Sequence, residues 1–138
     1  QTIEKGGERE LLRLCEDFPT RLALDESVCS VDDLKRWRDE QWPGVFVLKP
    51  SLSGSRVQLE QELADGLCDC VFSSALETKV GASSALSLAL AYHGKRRALG
   101  FGVEGLFADR NVGLELGPFL QKDALPNSEE LESLWNRI

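Results

Sequence analysis

One phrase recurs four times along the chain: a short apolar run that stops on polar or small residues. It reads "RLALDES", "GVFVLKPS", "CDCVFSS" and "ALGFG", with ends near Ser27, Ser51, Ser74 and Gly102, a spacing of about 25 residues. Between these runs lie segments with helical spacing. Residues 8–17 carry Leu11, Leu14 and Cys15 on one side, and "SVDDLKRWRDEQ" opens on Ser30 with Asp33 three residues on, in the manner of a capping box, before Leu34 and Trp37. Residues 55–64 set Leu59 and Leu63 four apart before a stop at Gly66, and "GASSALSLALAYHG" is apolar nearly all round up to Gly94. Strand and helix alternate strictly, and continuously apolar runs are those of parallel strands covered on both faces.

About four βα units with parallel strands make an α/β chain that is half of a (β/α)-barrel, since eight units take about 200–250 residues. The half-barrel is expected over residues 1–110. Residues 111–138 form an irregular, Gly- and Pro-punctuated extension with a closing helix, in which Leu131, Leu134, Trp135 and Ile138 fall at i, i+3, i+4 and i+7. This extension is expected to pack on the barrel or on a capping domain. A half-barrel leaves two edges and an interior face unpaired, so self-association or a completing N-terminal half, from the same longer chain or from a partner, is expected. The chain starts with Gln and contains no Met, which points to a piece of a longer chain or of a cut precursor.

The chain has 138 residues, 42% hydrophobic and 28% charged, a balance that suits one soluble core. A net charge of −7 without any dense Lys/Arg run argues against nucleic acid and anionic membranes as partners. The start "QTIEKGGERE" is charged where a signal peptide would be apolar, and "ALSLALAY" is far too short to span a bilayer, so a non-secreted location is expected. Cys15, Cys29, Cys68 and Cys70 include no C-x-x-C and no metal spacing with His; buried reduced thiols are the reading, with Cys68 and Cys70 facing the same way.

Each strand keeps its polar residues at its C-terminal end: Asp25 and Glu26, Lys49, then Ser73 and Ser74. In barrels and open parallel sheets that edge holds the ligand site, so Asp25 and Lys49 are predicted to face one pocket. The ordered motifs "ALDES", "VLKPSLSGS", "FSSALETKVG" and "ALGFGVEGLF" resemble the C-terminal half of the o-succinylbenzoate synthases, in the muconate-lactonizing-like branch of the enolase superfamily. The resemblance covers roughly residues 8–110 and rests on four motifs in order. It implies that Asp25 is the third carboxylate ligand of a catalytic Mg²⁺ and that Lys49 faces a small-molecule carboxylate substrate. It further implies that Ser73, Ser74 and the Gly100 backbone hold that substrate, while Glu26 and Glu77 stand behind them. The family's K-x-K strand and its first two metal carboxylates have no counterpart in this sequence.

The chemistry accounts for these residue types. Proton removal alpha to a carboxylate creates an enediolate whose charge needs a hard cation and a facing ammonium. Burial of Lys49 at a strand end is expected to lower its pKa toward acid–base use. The resemblance implies a hydro-lyase acting in menaquinone or phylloquinone biosynthesis, in the cytoplasm or, in a photosynthetic eukaryote, the plastid stroma. An N-succinylamino-acid racemase, a dipeptide epimerase and a non-catalytic half-barrel are the alternatives.

Blander roles compete for single residues. Glu77 could cap the next helix, His93 could favour a helix dipole beside Gly94, and Trp37 and Trp135 read as packing anchors, with Trp42 in a turn beside Pro43. "GFGVEG" spells G-x-G-x-x-G, yet the next residues, "LFADRNVGLELGPF", lack a helical period. Dinucleotide binding is therefore rejected in favour of glycines that allow close backbone approach.

Overall fold

The computed structural model describes residues 7–109, 112–114, 117, 119–120 and 125–136. The elements run α1 (Glu8–Asp17), β1 (Ala23–Leu24), α2 (Val31–Asp39), β2 (Val45–Leu48), α3 (Arg56–Leu63), β3 (Cys70–Phe72), α4 (Lys79–Ala91), a short 3₁₀ turn (Glu104–Leu106) and α5 (Ser128–Trp135). The strands form one parallel sheet in the order β1-β2-β3, pairing Leu24 with Phe46 and Leu48 with Phe72. The expected fourth strand, "ALGFG", is reduced to one parallel bridge between Ser73 and Gly100. Of its residues only Phe101 joins the core, so little side-chain packing holds this segment flat against β3.

The helices form where local signals place them. Ser30 Oγ accepts the Asp33 amide at 3.1 Å and donates to the Asp33 carboxylate at 2.7 Å, so the cap forms without the reciprocal bond. An Asp side chain is one methylene shorter than the Glu of a full capping box. Ser55 caps α3, and Gly66, with φ +66°, ends the segment after it. In α5, Asn127 and Glu130 do form the reciprocal box.

The core lies between the sheet and its helices. Leu24, Phe46, Leu48, Cys70 and Phe72 share one face by strand alternation and register, and all are buried, with Leu34, Trp37, Leu59, Leu63, Ala85 and Leu86 behind them. Trp37 meets Trp42 edge-on at 5.4 Å. The opposite face is covered less than the continuous apolar runs suggested: Val45 is buried, but Val47 and Val71 are only half-buried. An apolar run in β-conformation states what a face can bury, while burial itself depends on what lies against it.

The extension returns to the repeat. Leu114 enters the core, Leu120 and Leu125 pack at its margin, and the Lys79 amide opening α4 donates to Val112 O at 2.7 Å. Helix α5 lies against α4, yet Trp135 is 69% exposed and is no packing anchor in this chain. Ile138 lies outside the described residues. Cys68 and Cys70 are buried and all four cysteines are free, but Cys29 is exposed, against the expectation for that residue, because it lies in the β1–α2 loop with its Sγ near Glu26 O. No helix among the described residues is long and apolar enough to cross a membrane.

Candidate functional site

β1, β2 and β3 stop at Leu24, Leu48 and Phe72, and the next residues are Asp25, Lys49 and Ser73. By alternation all three project from the half-buried face, away from the helices. This is one rim of the sheet, at the C-terminal ends of parallel strands.

The structure brings Asp25 and Lys49 into direct contact: Lys49 Nζ donates to Asp25 Oδ1. The lysine side chain is 22% exposed and the carboxylate 42%, so the pair is open to solvent on its aspartate side. The hydrogen bond to Asp25 raises the Lys49 pKa, against a lowering by burial, and the charges of Asp25 and Glu26 add to the rise. The expected lowering of that pKa is therefore reversed in this chain, because a counter-ion in contact outweighs shallow burial.

Lys49 is held by its own backbone. Its carbonyl accepts from the Leu52 amide at 2.9 Å, the Ser53 amide at 3.2 Å and the Ser53 hydroxyl at 3.1 Å. Ser53 is buried, and its carbonyl accepts from the Val31 amide at the start of α2. Sequence reasoning passed over Ser53, whose only signal is the hydroxyl-rich turn after Pro50. Glu26 is exposed beside the pair.

The second half of the rim is a closed loop. Ser73 pairs through its amide with Leu48 O at 2.8 Å, and its hydroxyl donates to Gly100 O at 3.1 Å. Gly100 donates its amide to Phe72 O at 2.9 Å and accepts the Ser74 amide at 2.9 Å, so its backbone is engaged in the sheet. A Cβ there would come within 2.8 Å of Ser73 Oγ, which explains the glycine by close approach. Ser74 Oγ donates to Glu77 Oε2 at 2.7 Å. Glu77 does not cap α4, whose N-cap is Thr78; it folds back on its own loop, accepting from the Ala75 amide. Gly102 and Gly105 have open space around them; Gly102 precedes the 3₁₀ turn and Gly105 lies within it, where a dinucleotide loop would open an α-helix. His93 lies exposed just beyond α4.

Among the described residues no three His, Cys, Asp or Glu side chains converge in a metal-binding group. Asp25 is the rim carboxylate able to contribute one ligand to such a group.

The opposite rim differs in kind. Asp69, just before β3, is bound by Arg21 at 2.7 Å, by both Nε and Nη2 of Arg97, and by Lys95 at 3.4 Å. Hydrogen bonds from Arg97, Arg21 and Lys95 hold its carboxyl well below the usual carboxylate range.

No family model matches the chain. The chain is 42% identical over 96 residues to an o-succinylbenzoate synthase of Thermosynechococcus vestitus, an alignment covering 68% of this chain and 30% of the relative. The fold superposes with a TM-score of 0.69 and 35% identity on the crystal structure of o-succinylbenzoate synthase from Thermosynechococcus elongatus BP-1 complexed with Mg in the active site, over 94% of this chain and 37% of that one. The chain thus spans about a third of the length of the relatives it matches. In sequence and in fold it is o-succinylbenzoate synthase-like, corresponding to the C-terminal half of that barrel.

Proposed function

We propose that this chain supplies the C-terminal half of the barrel of an o-succinylbenzoate synthase, a lyase dehydrating 2-succinyl-6-hydroxy-2,4-cyclohexadiene-1-carboxylate to 2-succinylbenzoate in menaquinone or phylloquinone biosynthesis. The supporting observation is the Asp25–Lys49 pair at the C-terminal ends of adjacent parallel strands, in a chain with this likeness to the synthases. Lys49 projects its ammonium from a backbone fixed by three hydrogen bonds, a suitable donor to the anion that develops when a proton leaves the carbon beside a carboxylate. Ser73 adds a neutral hydroxyl on the same rim. Asp25 would provide one ligand to a shared Mg²⁺, which when bound offsets the carboxylate and enediolate charge. The remaining ligands and the proton-transferring base belong to the N-terminal half, the partner that completes the barrel and closes the half-buried face.

The test is to combine the chain with the N-terminal part of the Thermosynechococcus relative and follow 2-succinylbenzoate formation in Mg²⁺ buffer. Activity is expected from the combination and not from this chain alone. Turnover by the chain alone at the rate of a full-length relative would overturn the reading, as would an assembled barrel that shows none.

A further inference from the structure

The loop after β3 spells S-S-x-x-E-x-x-x-G, Ser73 to Gly81, and within it Ser74, Glu77 and Gly81 fit one another. Glu77 Oε2 accepts from Ser74 Oγ at 2.7 Å and from the Ala75 amide at 2.5 Å. Ser74 Oγ in turn accepts the Leu76 amide at 3.0 Å. Leu76 has φ +64°, a left-handed conformation that a residue with a branched side chain keeps only where its surroundings impose it. Gly81, one helical turn beyond Glu77, leaves room for the glutamate stem: a Cβ would lie 2.8 Å from Glu77 Cβ. Ser74 is buried with its hydroxyl engaged as donor and as acceptor, whereas Ser73 is half-buried and among the described residues its hydroxyl has one bond, to a carbonyl at the open rim.

We infer that Glu77 is a positioning residue: by clamping residues 74–76 it fixes the rim so that Ser73, and not Ser74, can turn its hydroxyl proton from Gly100 O to a carboxylate ligand. This rests on the reading of the site under Proposed function. Glu77 Oε1 is buried without a hydrogen-bond partner among the described residues, so the clamp uses one carboxylate oxygen. A glutamine retains that oxygen and the length of the side chain, and it removes the charge.

Two measurements test the inference. In the 138-residue chain, Glu77→Ala is expected to speed amide exchange at Ala75 and Leu76 about tenfold or more, while the Ser73 amide, tied to β2, keeps its rate. Glu77→Gln is expected to exchange like the unaltered chain. Unchanged rates at Ala75 and Leu76 in Glu77→Ala, or a glutamine variant as fast as the alanine one, would overturn the clamp. In the completed barrel with Mg²⁺, 2-succinylbenzoate is expected to bind about tenfold more weakly to Glu77→Ala and to Ser73→Ala, with Glu77→Gln restoring affinity. Full affinity in Glu77→Ala would refute the positioning role even if the loop is clamped. Failure of the unaltered barrel to bind 2-succinylbenzoate would instead refute the functional reading, and the exchange rates would still decide the clamp.

Discussion

Asp25 and Asp69 occupy opposite ends of the same sheet, and they are treated in opposite ways. Among the described residues Asp69, at the N-terminal end, has three cationic partners and a side chain 18% exposed; Asp25, at the C-terminal end, has Lys49 alone and is 42% exposed. A carboxylate surrounded by cations has little capacity left for a further ligand, while one held by a single lysine retains it. In a βα fold the strands' C-terminal ends carry chemistry and their N-terminal ends carry stability, and the roles proposed for the two aspartates follow that division.

The strongest way to break the comparison is at Lys49. In the completed barrel, Lys49→Ala is expected to lower 2-succinylbenzoate formation by roughly 10²–10⁴-fold, with little change in melting temperature. A large fall in melting temperature with activity retained would make this rim structural. Its neighbour Leu48 faces the helices and is fully buried. Leu48→Ala should therefore destabilise the fold by about 2–5 kcal/mol in denaturant titration; a negligible change would mean that the core is not organised around β2.

Asp69→Asn sharpens the other side. It is expected to cost about 1 kcal/mol, solvent screening limiting the value of partly exposed pairs, and to leave activity in the completed barrel unchanged. The sign with pH is fixed by the lowered carboxyl pKa. Stability from Asp69 is fully present above the unfolded carboxyl value of about 3.9 and is lost as pH falls through the folded value. Acid unfolding curves of the two forms should accordingly converge at low pH, and a gap that widens there would contradict the assignment. The smallest effect is expected at Ser30→Ala, about 0.5–1 kcal/mol by thermal or chemical unfolding for one lost helix cap.

Much of this division can be read in the sequence, because each βα unit has nearly the same length and each strand stops at the same height. Asp25, Lys49 and Ser73 follow Leu24, Leu48 and Phe72 directly, so polarity after an apolar run marked the rim. The sign of the Lys49 shift could not be read, since it depends on a contact between residues 24 apart in sequence. Nor could the fate of Glu77, whose partners lie within three residues but require Leu76 to turn left-handed. The helical period around Trp135 correctly marks an apolar stripe on α5, but periodicity carries no information on which surface covers a stripe.

The sheet order β1-β2-β3 also bears on how the chain is built. Among the described residues each strand pairs only with strands one βα unit away, so within them no ladder waits for a distant segment. Loop-closure cost is then similar at every step, and the core can grow outward from the first two units as the polypeptide leaves the ribosome. Ribosome-bound chains of increasing length should gain protease resistance in increments of one unit. A single late gain would show that the repeats fold together.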